Sequence, residues 1–466
     1  MAQPLHDMTA VELAHGIVAQ DFSCVEVVSS HLDRIDEMNG SINAIVSMRS
    51  RSEIVADAAI ADSMEPIGPL HGLPVAIKDL DDVAGLPTRS GSLVTSDEPA
   101  SQDGYIAAQF RRAGAIIVGK TNTPEFGIGS QTFNRVFGAT RNPWNLSRTA
   151  GGSSGGAAAA IAAHMVPLSD GSDLGGSLRN PAALCGIVGL RPSIGRVAEP
   201  DAVALHPRLG VHGPMGRTVA DTALCLSALA GPHAFDPLSL PESGDEFGGP
   251  LPVATSARLA WAGDLGLFTC ERDVLSICEE AARRIELVGG TFTRAQPDLQ
   301  DAMSTFRVLR GVDLNRLGRT FSMESFLQLK DTMRENIEYG RSLSVDDILD
   351  ADARRADLHR TMASFFDAYD VLALPAAQVT PFPIEIEYPT EIEGVVMDDY
   401  LDWMSTACII TPTGCPAISI PAGFTDDGLP VGLQLVARVG CDRELLEIAS
   451  AIESASPHRK APQPVA

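Results

Sequence analysis

Between residues 151 and 179 the chain runs GGSSGGAAAAIAAHMVPLSDGSDLGGSLR. Two glycine/serine loops, residues 151–156 and 172–177, bracket an alanine-rich apolar segment. Glycine in such loops serves a tight turn or the close approach of another group to the backbone. One loop alone reads as a helix N-terminus. Two together ask what the serines can do, and a hydroxyl becomes a useful nucleophile only beside a base.

A base stands further up the chain. Lysine is scarce: Lys78, Lys120, Lys330 and Lys460 are the four among 35 basic residues. Lys78 closes the apolar run Pro74-Val-Ala-Ile. Desolvation on such a strand favours the neutral amine, which can accept a proton. A serine between lysine and nucleophile can relay that proton, because a hydroxyl donates and accepts. Successive amides at Leu174, Gly175, Gly176 and Ser177 can point at one developing oxyanion, with no side chain on the two glycines to obstruct a substrate.

Working outward, residues 73–78 read as a short buried strand, 105–114 as a helix and 115–118 as a β-branched strand, the alternation of an α/β core. Upstream, Thr9/Glu12 and Ser23/Glu26 fit capping boxes. The second of these helices carries Val25, Val28, His31, Leu32 and Ile35 on one face and is expected to stop at Asn39-Gly40. A third helix is expected over 52–61. A Pro/Gly/acidic connector, residues 231–252, precedes a more helical stretch. Residues 417–420 and 431–436 flank Asp427-Gly428, a hairpin signal, and a helix follows over 443–454.

The length of 466 residues and 45% apolar content fit a folded protein with a sizeable core. A net charge of −25 argues against a nucleic-acid partner, which usually requires a basic face. The first residues lack the layout of a signal peptide, and residues 157–168, interrupted by His164, are too short to span a bilayer. Eight scattered cysteines without a CxxC pair read as reduced core thiols, hence an expected cytoplasmic location.

Other motifs compete. Residues 114–121 match GxxxxGK[ST], yet Ala-Ile-Ile-Val between the glycines is a strand and cannot curl round a phosphate. Gly152-Ser-Ser154-Gly-Gly156 matches GxSxG with Ser154 as nucleophile, which would need a histidine such as His359 or His458 and leaves Lys78 unexplained. The histidines are dispersed, HExxH is absent, and Asp79, Asp81 and Asp82 read as a solvated acidic loop, so no metal is expected. Cys415 reads as a buried thiol leading into a strand.

At these residues the chain resembles the amidase signature family of serine amidases with a Ser–cisSer–Lys triad. The resemblance rests on residues 72–79, 119–126, 138–145, 151–156, 173–179, 186–192, 213–221, 414–421 and 428–434. It implies a single large α/β domain, a mixed central sheet covered by helices on both faces. It implies Ser177 as nucleophile, Ser153 as the bridging serine after a cis peptide bond, Lys78 as base, and Leu174, Gly175 and Gly176 at the oxyanion hole. It implies cleavage of C–N amide bonds in small acyl or aryl amides, with esters and carbamates open, through an acyl-enzyme, and no cofactor. Leu174 stands where threonine is common, His164 where glycine is usual and Ala157 where serine is frequent. The expected organisation is an N-terminal helical segment (1–63), the signature core (64–230), a variable helical substrate-funnel region (231–400) and a C-terminal hairpin and helix (401–466). Phe306, Leu309, Phe321, Met323, Phe326, Leu327 and Trp403 are candidate funnel walls. The expected partner is a small-molecule amide, with no nucleic acid or membrane, for a monomer or homodimer. The alternatives are a glutaminase subunit of a tRNA-dependent amidotransferase and a non-catalytic scaffold on the same fold. A scaffold is expected to have lost a triad residue, and all three are present.

Overall fold

The N-terminal helices begin where hydroxyl residues meet a glutamate three positions on. In α1 (Ala10–Ala19), α2 (Cys24–Ile42) and α3 (Arg51–Asp62) the caps Thr9, Ser23 and Ser50 form reciprocal capping boxes with Glu12, Glu26 and Glu53. The chain is described here by a computed structural model covering residues 3–251 and 256–456. His458, Lys460 and the last residue of the connector, Pro252, lie outside the described residues.

α2 passes through Asn39-Gly40 and ends at Ile42, with Asn43 in the left-handed conformation as its cap. The Asn39 side chain accepts from Ala44 and Ile45 N–H at 3.0 and 2.9 Å, so it folds the exit back instead of ending the helix. Glycine at position 40 is tolerated because the helix is carried by its buried face: Val27, Val28, His31, Leu32 and Ile35.

Eleven strands make one mixed sheet: β1 (Ile45–Met48), β2 (Pro74–Lys78), β3 (Ile116–Thr121), β4 (Leu168–Asp173), β5 (Val188–Arg191), β6 (Val211–Gly216), β7 (Arg258–Trp261), β8 (Thr291–Arg294), β9 (Val371–Pro375), β10 (Ala417–Phe424) and β11 (Pro430–Val436). The spatial order is β1-β3-β2-β4-β6-β5-β10-β11-β9-β7-β8. β2 runs parallel to β3 and β4, and β7 parallel to β8 and β9, while the remaining pairs are antiparallel. Helices, α4 (Tyr105–Arg112) among them, flank the sheet in a single α/β domain. β2 is buried at all five positions, as its unbroken apolar run requires between two parallel neighbours.

The stretch expected to be chiefly helical contributes α8 (Arg272–Arg283), α9 (Ala302–Gly318), α10 (Met323–Gln328), α11 (Asp331–Ser342) and α12 (Val345–Ala368). It also supplies β7, β8 and β9, which extend the same sheet beyond the β10–β11 hairpin. These are four- and five-residue strands, too short to stand out in a sequence dominated by long helices. Among the described residues no helix is long and apolar enough to cross a membrane. All eight cysteines are free thiols, seven of them buried.

Candidate active site

β2 delivers Lys78 to the interior, where its side chain is fully buried. The Lys78 Nζ lies 2.8 Å from Ser153 Oγ, 2.9 Å from Ser154 Oγ and 3.0 Å from Ser172 Oγ. Burial pushes the amine down to about 8, against the pull of Asp170, Asp81 and Asp173 toward the charged form. That combination is what a lysine needs to exchange protons near neutral pH.

The first glycine/serine loop leads into α5 (Gly155–Ala162), every residue of which is buried. The chain can pass so deep because Gly156 has no side chain: a Cβ there would stand 2.3 Å from Asn122 N. The peptide bond between Gly152 and Ser153 is cis. Ser130 Oγ donates to Gly152 O at 3.0 Å and accepts from Asn180 Nδ2 at 2.9 Å, tying this loop to α6 (Arg179–Cys185).

The second loop follows β4. Ser154 N–H donates to Ser177 O at 3.2 Å, so the two loops are joined through backbone at the level of the lysine. Ser177 Oγ makes no hydrogen bond among the described residues. Exposure rises along the series, from 0% at Lys78 to 2% at Ser153 and 8% at Ser177, which puts the lysine innermost and Ser177 nearest to solvent.

Asp173 anchors this loop. Its carboxylate accepts from Gly176 N–H at 2.9 Å, Leu178 N–H at 3.2 Å and Arg179 Nε and Nη2 at 3.0 and 2.9 Å, with Arg191 Nη1 at 3.4 Å. Burial alone would raise the Asp173 carboxyl, but the two guanidinium groups outweigh it and hold the group well below the usual carboxylate range. Removing one member of so buried a cluster leaves charge uncompensated. Asp173→Ala is expected to cost about 3–5 kcal/mol of stability, read as a lower denaturant midpoint.

Gly176, at φ 114°, has its N–H turned to Asp173. Among the described residues the Leu174 and Gly175 amides have no backbone or side-chain acceptor. Behind them lies an apolar cluster in which Leu174 packs with Phe306, Leu309, Trp403 and Cys408. A Cβ at Gly175 would stand 2.8 Å from the Phe306 ring. Of the other candidate wall residues, Phe321 and Phe326 join Phe126 and Ile128 in a separate cluster. A Cβ added at Gly127, next to it, would stand 3.6 Å from Ser153 Oγ. Met323 and Leu327 are 71% and 61% exposed and form no wall, because the six-residue α10 turns only Phe326 inward.

The competing motifs resolve differently. Lys120 lies inside β3, fully buried and 3.0 Å from Asp79, so the phosphate-loop match is a strand. Asp79 is therefore a buried ion-pair partner instead of a solvated loop residue, and Asp81 faces His212 at 3.3 Å. Among the described residues no cluster could hold a metal ion. Ser154 is fully buried against Lys78, and His359 lies elsewhere, beside Gly414, so no histidine of the described residues serves a GxSxG arrangement. Burial pushes the Cys415 thiol up to about 11, and it stays protonated and inert.

Sequence reasoning missed Ser154 and Ser172 as lysine partners, and Asp170 and Asp173 as supports. The alternation Asp170, Ser172 on one strand carried the signal, since residues two apart share a face.

A family model described as Amidase matches residues 26–446. An acylamidase of Rhodococcus erythropolis is 37% identical over 470 residues, covering 98% of this chain and 97% of that protein. A Glutamyl-tRNA(Gln) amidotransferase subunit from Alkaliphilus metalliredigens (strain QYMF) is 31% identical over 96% of each chain. The crystal structure of a bacterial aryl acylamidase, described as belonging to the amidase signature enzymes, superposes with a TM-score of 0.88 at 28% identity, over 98% of this chain and 97% of that one.

Proposed function

The chain belongs to the amidase signature family and is a hydrolase of non-peptide C–N amide bonds, and on that footing we propose that Ser177 is its nucleophile, Ser153 its proton relay and Lys78 its base. The observation that carries this reading is the buried Lys78 amine, neutral through much of the mildly alkaline range and in hydrogen-bond contact with Ser153.

In the first step Lys78 Nζ takes the Ser153 hydroxyl proton as Ser153 Oγ takes that of Ser177. The Ser177 oxygen attacks the amide carbon, whose oxygen becomes an oxyanion. Leu174 and Gly175 N–H are the proposed donors to it, each worth about 3–4 kcal/mol. Gly176, third of the expected donors, serves instead through its bond to Asp173, which fixes the loop. The Lys78 ammonium then returns its proton through Ser153 to the leaving nitrogen, the C–N bond breaks, and the acyl group stays on Ser177 as an ester. Water deprotonated by the same relay releases the acid and restores the serine. The Ser153–Ser177 hydrogen bond that the relay requires is expected to form as substrate fills the site.

The apolar cluster beside Leu174 and Gly175 favours an acyl or aryl amide over a polar one. Eight free thiols support a reducing, cytoplasm-like setting. The chain alone is expected to release p-nitroaniline from p-nitroacetanilide, followed by absorbance. Release of ammonia from glutamine with no anilide cleavage would instead support the amidotransferase reading.

A further inference from the structure

Three carboxylates act on Lys78, namely Asp170, Asp81 and Asp173, and two of them already have basic partners of their own. Asp81 faces His212 at 3.3 Å, and Asp173 pairs with Arg179 and Arg191. Asp170 is different. It is fully buried on β4, its Oδ1 accepts the Lys78 backbone N–H at 2.8 Å, and its Oδ2 has no hydrogen-bond partner among the described residues.

The neighbouring strand explains what lies beyond it. In the antiparallel register of β4 and β6, Ser172 stands opposite His212 and Asp170 opposite Pro214, so Asp170, Ser172 and His212 share one face of the sheet. His212 Nε2 is 3.3 Å from Asp81 Oδ1 and its Nδ1 is 3.5 Å from Glu199 Oε1. Glu199 is in turn 3.2 Å from Arg208. Asp81, Tyr105, Glu199 and His212 line a cavity of about 310 Å³ on this side of the lysine. The other element packed on β4 near Asp170 is α7 (Val219–Leu229), which brings Asp221 and the Cys225 thiol. Burial raises that thiol, so it stays neutral, and Asp221 is occupied with Val11 N–H at 3.1 Å. α5 contributes no titratable side chain.

We propose that Asp170 is a positioning residue for the reaction, acting through Lys78: with Asp81 as a weaker second, its carboxylate keeps the buried amine basic enough to accept the serine proton. The inference rests on Lys78 being the base. A lysine desolvated by strand and helix alone becomes too weak a base to deprotonate a hydroxyl, and a neighbouring carboxylate restores proton affinity without touching substrate. Asp170 favours the charged form of Lys78 most strongly, Asp81 next. His212 holds Asp81 ionised despite its burial, which keeps that second contribution in place. Burial and the Asp81 charge raise the Asp170 carboxyl to about 7, against the opposite pull of the Lys78 N–H, His212 and the Lys78 amine, so it is ionised in the range where the lysine titrates.

Asp170→Asn tests this, since the amide oxygen still accepts the Lys78 N–H while the charge is gone. The readout is kcat/KM against pH, beside wild type and Lys78→Met. Wild type rises with pH through about 8, as the Lys78 amine becomes neutral. For Asp170→Asn the rising limb is expected to move down by about one pH unit, with a plateau about three- to tenfold lower, because the amine is neutral sooner but is a weaker base. A limb at the wild-type pH, or one moved upward, overturns the proposal, whatever the plateau does. Asp81→Asn, on the cavity wall, is expected to move the limb the same way by less, and it decides the matter in the same terms if Asp170→Asn does not fold. If Lys78→Met keeps wild-type activity, the assignment of the base fails. If Lys78→Met is inactive and both aspartate variants keep the wild-type limb, the base stands and this inference alone falls.

Discussion

Ser177→Ala is expected to lower the rate of amide hydrolysis by about 10⁴-fold or more while leaving the fold intact. The size follows from chemistry. Without the hydroxyl no acyl-enzyme forms, and what remains is the stabilisation offered by the Leu174 and Gly175 amides to a direct attack by water. The fold survives because Ser177 Oγ makes no hydrogen bond among the described residues, while the loop is held by Asp173, Arg179 and the bond from Ser154 N–H to Ser177 O. The matching measurement is kcat/KM for an anilide, with circular dichroism to establish that the variant is folded. A loss of less than tenfold would move the nucleophile elsewhere. Ser154→Ala, in contrast, keeps Ser177 and Ser153 and is expected to act through the setting of Lys78 alone.

Lys78→Met is expected to cost about 10³-fold and to abolish the pH limb. Methionine matches the length of the lysine stem and suits the fully buried strand. It can neither accept the proton of Ser153 nor return it to the leaving nitrogen. The sign of the wild-type dependence follows from the depressed amine. Below about 8 the lysine is an ammonium and cannot act as base, so activity falls about tenfold per pH unit on the acid side; above it the neutral form dominates and the rate levels. The residual activity of Lys78→Met should run flat through this range. A limb that survives in the variant would assign the titration to another group.

Much of this was legible in the sequence, for reasons that differ by element. The capping boxes at Thr9 and Ser23 are local, so a few neighbouring residues suffice to read them. β2 is an unbroken apolar run of the kind a parallel, doubly covered strand demands, and the lone lysine at its end announced itself by being out of place. The glycine/serine loops show because close packing leaves no room for side chains, as at Gly156. What the sequence hides is non-local. α2 outruns Asn39-Gly40 because its stop is made by Asn39 reaching forward to Ala44 and Ile45. β7, β8 and β9 are held by partners distant in the chain, a pairing that no window of sequence contains. The acidic loop read as solvated because nothing local reveals that Asp79 meets Lys120 of another strand. Met323 and Leu327 looked like wall residues from composition alone, yet their short helix leaves them outside.

The central claim is that Ser177 is an activated serine. The direct measurement is intact mass after treatment with phenylmethylsulfonyl fluoride, run on wild type, Ser177→Ala and Lys78→Met. The account predicts one sulfonyl adduct on wild type, none on Ser177→Ala, and strongly slowed labelling of Lys78→Met. Equal labelling of wild type and Ser177→Ala would contradict it.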